Sequence, residues 1–496
     1  MNLPLITRAE EHNEKIAIAT SEGAFTYRYL LYTSSQIATN LLQDAEDLQE
    51  QRVAFLIPPG FQYAATQWGI WRAGGIAVSL CNSHPRPELE YVIIHSEASI
   101  IVAHPNFEGV LRPIAEAHNL RFIVTSEILS CDVGHLPEVD TTRRALILYT
   151  SGTTGKPKGV VTTHNNIIAQ VTSLIAAWEW TSDDRILHVL PLHHIHGIIN
   201  VLTCALWAGA ECHILSKFDA NVVWDRISQG DLTLFMAVPT IYVKLIAAWE
   251  AASSDRQKMM SEGCAKMRLM VSGSAALPVQ VLEKWKTISN HFLLERYGMT
   301  EIGMALSNPL HGQRYAGYVG KPLPQVEVRL VDENGEIVPQ GIPGEIQVKG
   351  PGVFLEYWQN PEASAKAFRD GWFLTGDLAV VENGNYRILG RMSVDIIKTG
   401  GYKVSALEIE EVLRTHPNIQ ECAVVGIKDP EWGERVCAAL VLQQPDGLTL
   451  KNFRSWAKER LAVYKVPTQI LSVEELPRNA MGKVTKPAVA QLFSEQ

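Results

Sequence analysis

The sequence predicts an α/β fold: a large N-terminal part of α/β layers with a small β-barrel-like region, followed by a small C-terminal α/β domain. Three observations predict it. Short apolar runs of strand length alternate with helix-like stretches from Val53 to Leu148. A region punctuated by glycine and proline, from Gly312 to Gly352, alternates apolar and polar residues. Beyond Gly390 the chain returns to mixed helix and strand patterns.

In chain order, the buried-strand runs are Val53 to Ile57, Ile76 to Val78, Ile100 to Ala103, Arg121 to Val124 and Leu146 to Leu148. Continuous apolar strands separated by helices argue for parallel sheet covered on both faces. Val326 to Leu330 and Glu345 to Val348 alternate instead, which suits antiparallel strands, with Asp332-Glu333-Asn334-Gly335 as the turn of a hairpin. The best domain boundary lies at Gly390-Arg391-Met392-Ser393, dividing residues 1–390 from 391–496. After it, Leu407 to Leu413 reads as helix, Cys422 to Ile427 as strand and Leu450 to Leu461 as helix. About a hundred residues is a size that folds alone.

At 496 residues the chain exceeds one compact core. A net charge of −9 with no polybasic block argues against nucleic acid as a partner. No apolar run reaches the length of a membrane span. Seven cysteines, with no C-x-x-C pair, suit reduced thiols better than a disulfide framework or zinc site. Glu10, Glu11 and Glu14 stand among the first charges, unlike a secretory signal or transit peptide, so the expected location is cytoplasmic.

The most informative run is Tyr149-Thr150-Ser151-Gly152-Thr153-Thr154-Gly155-Lys156-Pro157-Lys158-Gly159. Its four aliphatic hydroxyls, three glycines and two lysines follow an apolar segment directly. Glycines admit a ligand close to backbone N–H groups, and hydroxyls and lysines donate to phosphate oxygens. It is not a Walker A loop: position 150 is threonine, and Pro157 follows Lys156 where Ser or Thr belongs. Glu301 follows Thr300, and a hard carboxylate beside a hydroxyl suits Mg²⁺. Asp377 has acceptors for two sugar hydroxyls. The run His193-His194-Ile195-His196 has no second ligand cluster to make a metal site with it. Arg296 stands directly before Tyr297-Gly298-Met299-Thr300-Glu301. A buried guanidinium makes sense beside a carboxylate that it clasps bidentately.

Together the loop, Tyr297 to Glu301, Gly371 to Asp377, Gly390-Arg391 and Asn479-Ala480-Met481-Gly482-Lys483 resemble, in order and over nearly the whole chain, the superfamily of adenylate-forming enzymes. That superfamily holds acyl-CoA synthetases, peptide-synthetase adenylation domains and luciferases. The resemblance implies a mobile C-terminal lid that rotates between two half-reactions, with the hinge within Met392 to Asp395. It implies that Thr150, Ser151, Gly152, Thr153, Thr154, Gly155 and Lys156 bind phosphates, with Ser274, Ala275 and Tyr297 at the nucleotide. It further implies that Asp377 and Arg391 hold the ribose, and that Thr300, Glu301 (on Mg²⁺) and Lys483 are catalytic. His194 falls at the acyl pocket. Gly400, Gly401 and Lys403 belong to the lid segment Lys398 to Ser405 that meets CoA. ATP, Mg²⁺, CoA and a small carboxylic acid are the implied ligands.

The pattern around Arg296, with the histidine run and the lid segment, is similar to malonyl-CoA synthetases. Many bacterial relatives carry a second arginine in V-P-T-x-Y-x-R, where this chain has Lys244, a charge without a fork. The expected reaction joins malonate to CoA with cleavage of ATP, releasing AMP and diphosphate. A short- or medium-chain or aromatic monocarboxylate ligase, or transfer to a carrier protein, are the alternatives.

Overall fold

The structure is a computed structural model that describes residues 3–128, 133–150, 157–444, 448–479 and 482–494. Ser151, Gly152, Thr153, Thr154, Gly155 and Lys156 lie outside the described residues, as do Ala480 and Met481 beside Lys483.

The chain divides into two compact units. The first comprises Met1–Tyr315, Gly320–Glu327 and Val348–Phe373. It holds a seven-stranded sheet and a nine-stranded sheet. In the seven-stranded sheet the strands Arg144–Thr150, Ile76–Ser79, Arg52–Leu56, Ile100–Ala103 and Arg121–Val124 lie side by side and parallel. These are the five expected runs, and Ile76–Ser79, Ile100–Ala103 and Val53 to Leu56 are buried residue after residue. Strand Lys158–Thr163 then turns back antiparallel on Arg144–Thr150, pairing Thr150 with Lys158. The strands on either side of the expected phosphate loop are therefore paired as a hairpin, in place of the strand and helix of a Walker A loop. Glu356–Tyr357 adds an edge strand, with Tyr357 opposite Val160.

In the nine-stranded sheet, Leu294–Met299, Leu269–Ser272, Leu234–Ala237, Arg185–His188, Glu211–Ile214 and Ile16–Thr20 run parallel in that order. Antiparallel strands flank them at both edges. Helix His164–Trp178 begins at a reciprocal cap: Thr163 Oγ1 accepts the Asn166 N–H at 3.1 Å, and Asn166 Oδ1 accepts the Thr163 N–H at 2.8 Å. Asn166 Nδ2 also donates to the carbonyls of Pro351 and Val353, each at 2.9 Å, which ties the helix start to the segment before strand Glu356–Tyr357. None of the described helices is long and apolar enough to cross a membrane.

The second unit comprises Ala316–Val319, Val328–Gln347 and Leu374–Gln496. It is antiparallel β at its start: Val331 bridges Ile337, Asp377 pairs with Arg391, and Val381 pairs with Tyr386. The hairpin turn forms at Asp332 to Gly335, where Asp332 Oδ1 accepts the N–H groups of Asn334 and Glu336, each at 2.9 Å. Toward the C-terminus, Ile419–Asp429 and Gly433–Leu442 form a long antiparallel pair, with Gln469–Ser472 parallel to the latter. Helices Ala406–Leu413 and Leu450–Lys458 pack one core with these strands through Ile409, Leu413, Phe453 and Ala457.

Candidate active site

In the first unit, the ends of two adjacent parallel strands build one cluster. Strand Leu269–Ser272 runs into the turn Gly273-Ser274, and Leu294–Met299 beside it carries Arg296. Carboxyl ends of parallel strands are where α/β sheets place ligands. Arg296 is only 4 % exposed. One of its terminal nitrogens donates to Ser274 Oγ at 3.4 Å, and its Nε has no hydrogen-bond partner among the described residues. No carboxylate among the described residues pairs with it, and burial alone pulls the guanidinium down to about 9. It is still protonated at neutral pH, so among the described residues it is a buried cation without a counter-ion. Gly273 makes room for it: a Cβ there would stand 2.5 Å from the Arg296 Cζ. Ser274 takes a left-handed φ of 70°, which a non-glycine residue adopts at a cost of about 1 kcal/mol or more.

The histidine run approaches the same turn. His196 is buried, and its Nδ1 lies 3.1 Å from Ser274 Oγ. It opens a π-helical stretch, His196–Thr203. His194 is half-buried just before it, its ring 4.2 Å from that of His193. His193 is also hydrogen-bonded to Cys81. Burial pushes this thiol up, but hydrogen bonds from His193 and His84 outweigh burial and bring it to about 5. Cys81 was not singled out from sequence, because its partners come from two separate segments.

Glu301, only 6 % exposed, sits at the next turn beside half-buried Thr300. Its Oε1 accepts the Tyr357 hydroxyl at 3.0 Å, and its carbonyl accepts the Phe354 N–H at 2.7 Å. The Lys158 ammonium stands 4.9 Å from the Tyr357 ring centroid. Tyr357 thus links the base of the phosphate-loop hairpin to Glu301. Sequence reasoning missed Tyr357; the edge pairing of Glu356–Tyr357 with Lys158–Thr163 is a long-range contact that no local pattern announces. Among the described residues no group of three or more His, Cys, Asp or Glu converges as a metal cage. One carboxylate next to a hydroxyl fits Mg²⁺, which commonly takes one or two protein carboxylates and fills its shell with substrate phosphates and water.

The remaining expected residues of this unit are placed as follows. Tyr297 sits in its strand opposite Leu306, and Ala275 is exposed. Lys244 is exposed on helix Pro239–Glu250, its ammonium 5.8 Å from the Phe218 ring.

In the second unit, Arg391 Nε donates to Asp377 Oδ1 at 2.8 Å across the hairpin, and Arg391 also donates to the Thr375 carbonyl at 2.9 Å. The pair holds the Asp377 carboxylate in a fixed plane. Asp395 accepts the Arg391 N–H at 3.0 Å and faces Lys486 at 3.7 Å; burial raises its pKa above the usual carboxylate value. Gly400 and Gly401, with φ of 53° and 82°, turn the hairpin of strands Ile396–Thr399 and Tyr402–Ser405. Lys403 pairs with Glu333. Lys483 is half-buried in a turn closed by Asn479, which bonds its N–H and carbonyl at 3.0 and 2.9 Å.

The AMP-binding enzyme family model matches residues 5–358, and the AMP-binding enzyme C-terminal domain model matches residues 408–483. The chain is 45% identical over 529 residues to the Homo sapiens protein named malonate–CoA ligase ACSF3, mitochondrial, covering 99% of this chain and 92% of that one. To the Xenopus laevis protein of the same name it is 44% identical over 534 residues, covering 100% and 92%. The fold superposes on the crystal structure of ATP-bound MatB from Rhodopseudomonas palustris with a TM-score of 0.92 at 33% identity, covering 100% of this chain and 99% of that one. Five ordered motifs, two parallel-sheet layers and these matches agree: this chain belongs to the AMP-binding enzyme family.

Proposed function

We propose that the chain is an ATP-dependent malonate–CoA ligase. One malonate carboxylate oxygen attacks the α-phosphorus of ATP and diphosphate leaves. The CoA thiolate then attacks the acyl carbon and AMP leaves, giving malonyl-CoA. The carrying observation is Arg296: a buried, protonated guanidinium with no carboxylate partner among the described residues is unfavourable unless the substrate supplies one. A monocarboxylate commits its only carboxylate to the phosphorus. A dicarboxylate has a second to give.

The other residues take these roles. Residues 150–156 and Lys158 neutralise and orient the phosphates. Glu301, oriented by Tyr357, would hold Mg²⁺, which would supply further charge neutralisation on the phosphates. Asp377 takes ribose hydroxyls while Arg391 keeps its plane. Lys483 bridges carboxylate and α-phosphate in the first step, and the segment after Arg391 moves as the lid that brings Gly400 and Gly401 to the pantetheine arm for the second.

The test is acid-dependent AMP formation with ATP, Mg²⁺ and CoA across malonate, methylmalonate, succinate, acetate, octanoate and 4-coumarate. Malonate should turn over best. Equal or better turnover of a monocarboxylate removes the malonate assignment and leaves the ligase class.

A further inference from the structure

We propose that His196 is a positioning residue for acid selectivity: through the Ser274 hydroxyl it sets the Arg296 guanidinium that receives the acid's second carboxylate. The inference rests on the malonate reading. It concerns the third histidine of the run, not the one expected at the acyl pocket.

The geometry is a relay of three side chains. Arg296 has only donors, so Ser274 Oγ must accept from it. The hydroxyl has one hydrogen and two lone pairs, and His196 Nδ1 is its other neighbour at 3.1 Å. Whichever of the two carries the shared proton, the ring dictates where the Ser274 hydroxyl points. At 3.4 Å the Arg296 contact is long, so it orients the guanidinium without saturating it. An incoming carboxylate therefore finds a cation already aimed.

His196 is held well enough to do this. The next residue, Gly197, lies so close to Pro191 that a Cβ would stand 2.3 Å from the Pro191 carbonyl oxygen. The Gly197 carbonyl accepts a hydrogen bond from His188 Nε2 at 3.2 Å, while His188 Nδ1 accepts the Leu190 N–H at 3.1 Å. Burial lowers the His188 pKa to about 4, so this ring stays neutral and its tautomer is fixed by those two bonds. The chain then enters the π-helical stretch His196–Thr203, a conformation that recurs at functional sites. The left-handed φ of Ser274 is a second local strain that the contact with His196 helps to hold.

The experiment compares His196→Leu, which fills the volume without a polar atom, with His196→Asn, whose amide reaches the position of Nδ1. Initial rates with malonate and with propionate are read for each, with Ser274→Ala and the Ser274→Ala/His196→Leu pair. We expect His196→Leu to raise the malonate KM about tenfold, with kcat, the ATP KM and the propionate values nearly unchanged, and His196→Asn to restore the preference. We expect the double variant to lose no more than the worse single one. Equal losses on both acids, additive losses in the double variant, or failure of both His196 variants alike overturn the inference. If Arg296→Leu destroys malonate preference while His196→Leu leaves it intact, the malonate reading stands and this inference falls. If the wild type shows no preference for malonate, both fall.

Discussion

Arg296 is the residue on which substrate choice turns. Replacing it with leucine removes a charged donor to one carboxylate, so kcat/KM for malonate should fall about 10- to 100-fold while a short monocarboxylate changes little. Its charge also sets a pH limit. The folded value, about 9, lies below the ordinary arginine value, so raising pH through 9 discharges the folded site first. Malonate KM should rise at alkaline pH while propionate KM stays level; an equal rise for both acids refutes the assignment. Cys81 offers a separate check. Its thiolate is held down to about pH 5, whereas burial raises Cys204, Cys212, Cys264, Cys422 and Cys437. Cys81 is itself only 4 % exposed, so peptide mapping after iodoacetamide should find it slow to react, at a rate that is flat from about pH 6 to 8. A tenfold rise per pH unit contradicts the thiolate. From the sequence Arg296 was legible, because a charge beside an apolar strand asks for a partner. Ser274 and His196 as its neighbours were not, because they come from segments 22 and 100 residues away in the chain.

Elements were legible where one period dominates. The five apolar runs of the seven-stranded sheet occur where they were read, since a strand buried on both faces leaves no alternation to misjudge. Their lateral order was not legible, because strand pairing depends on contacts distant in sequence. Strand Ile16–Thr20, which pairs with Glu211–Ile214, was missed for the same reason. Helical period explains Lys244: Tyr242, two residues before it, is fully buried, and two steps of about 100° turn Lys244 to the opposite side. At the start of helix His164–Trp178, Thr163→Ala breaks the side-chain half of the reciprocal cap. It should lower stability by about 1 kcal/mol, read as a lower urea midpoint at unchanged slope. An unchanged midpoint shows that the Asn166 contacts to Pro351 and Val353 alone hold the helix start.

For the molecule as a whole, the motif order over nearly the entire chain carried the family assignment, and the matches to the two family models agree with it. Two half-reactions on one chain can be separated by mutation. Lys483→Ala should abolish acyl-adenylate formation, measured by malonate-dependent diphosphate release, yet spare thioester formation from supplied malonyl-adenylate. Equal loss of both halves removes Lys483 from the first step. The buried Arg296 also reaches beyond catalysis. No carboxylate among the described residues balances this buried cation, so a ligand that supplies the counter-charge strengthens the fold, by about 2.7 kcal/mol at a hundred times its Kd. Degradation draws on the unfolded fraction, so cells short of malonate would clear this protein faster than cells rich in it. Abundance would then follow supply, with substrate setting the lifetime of its own enzyme.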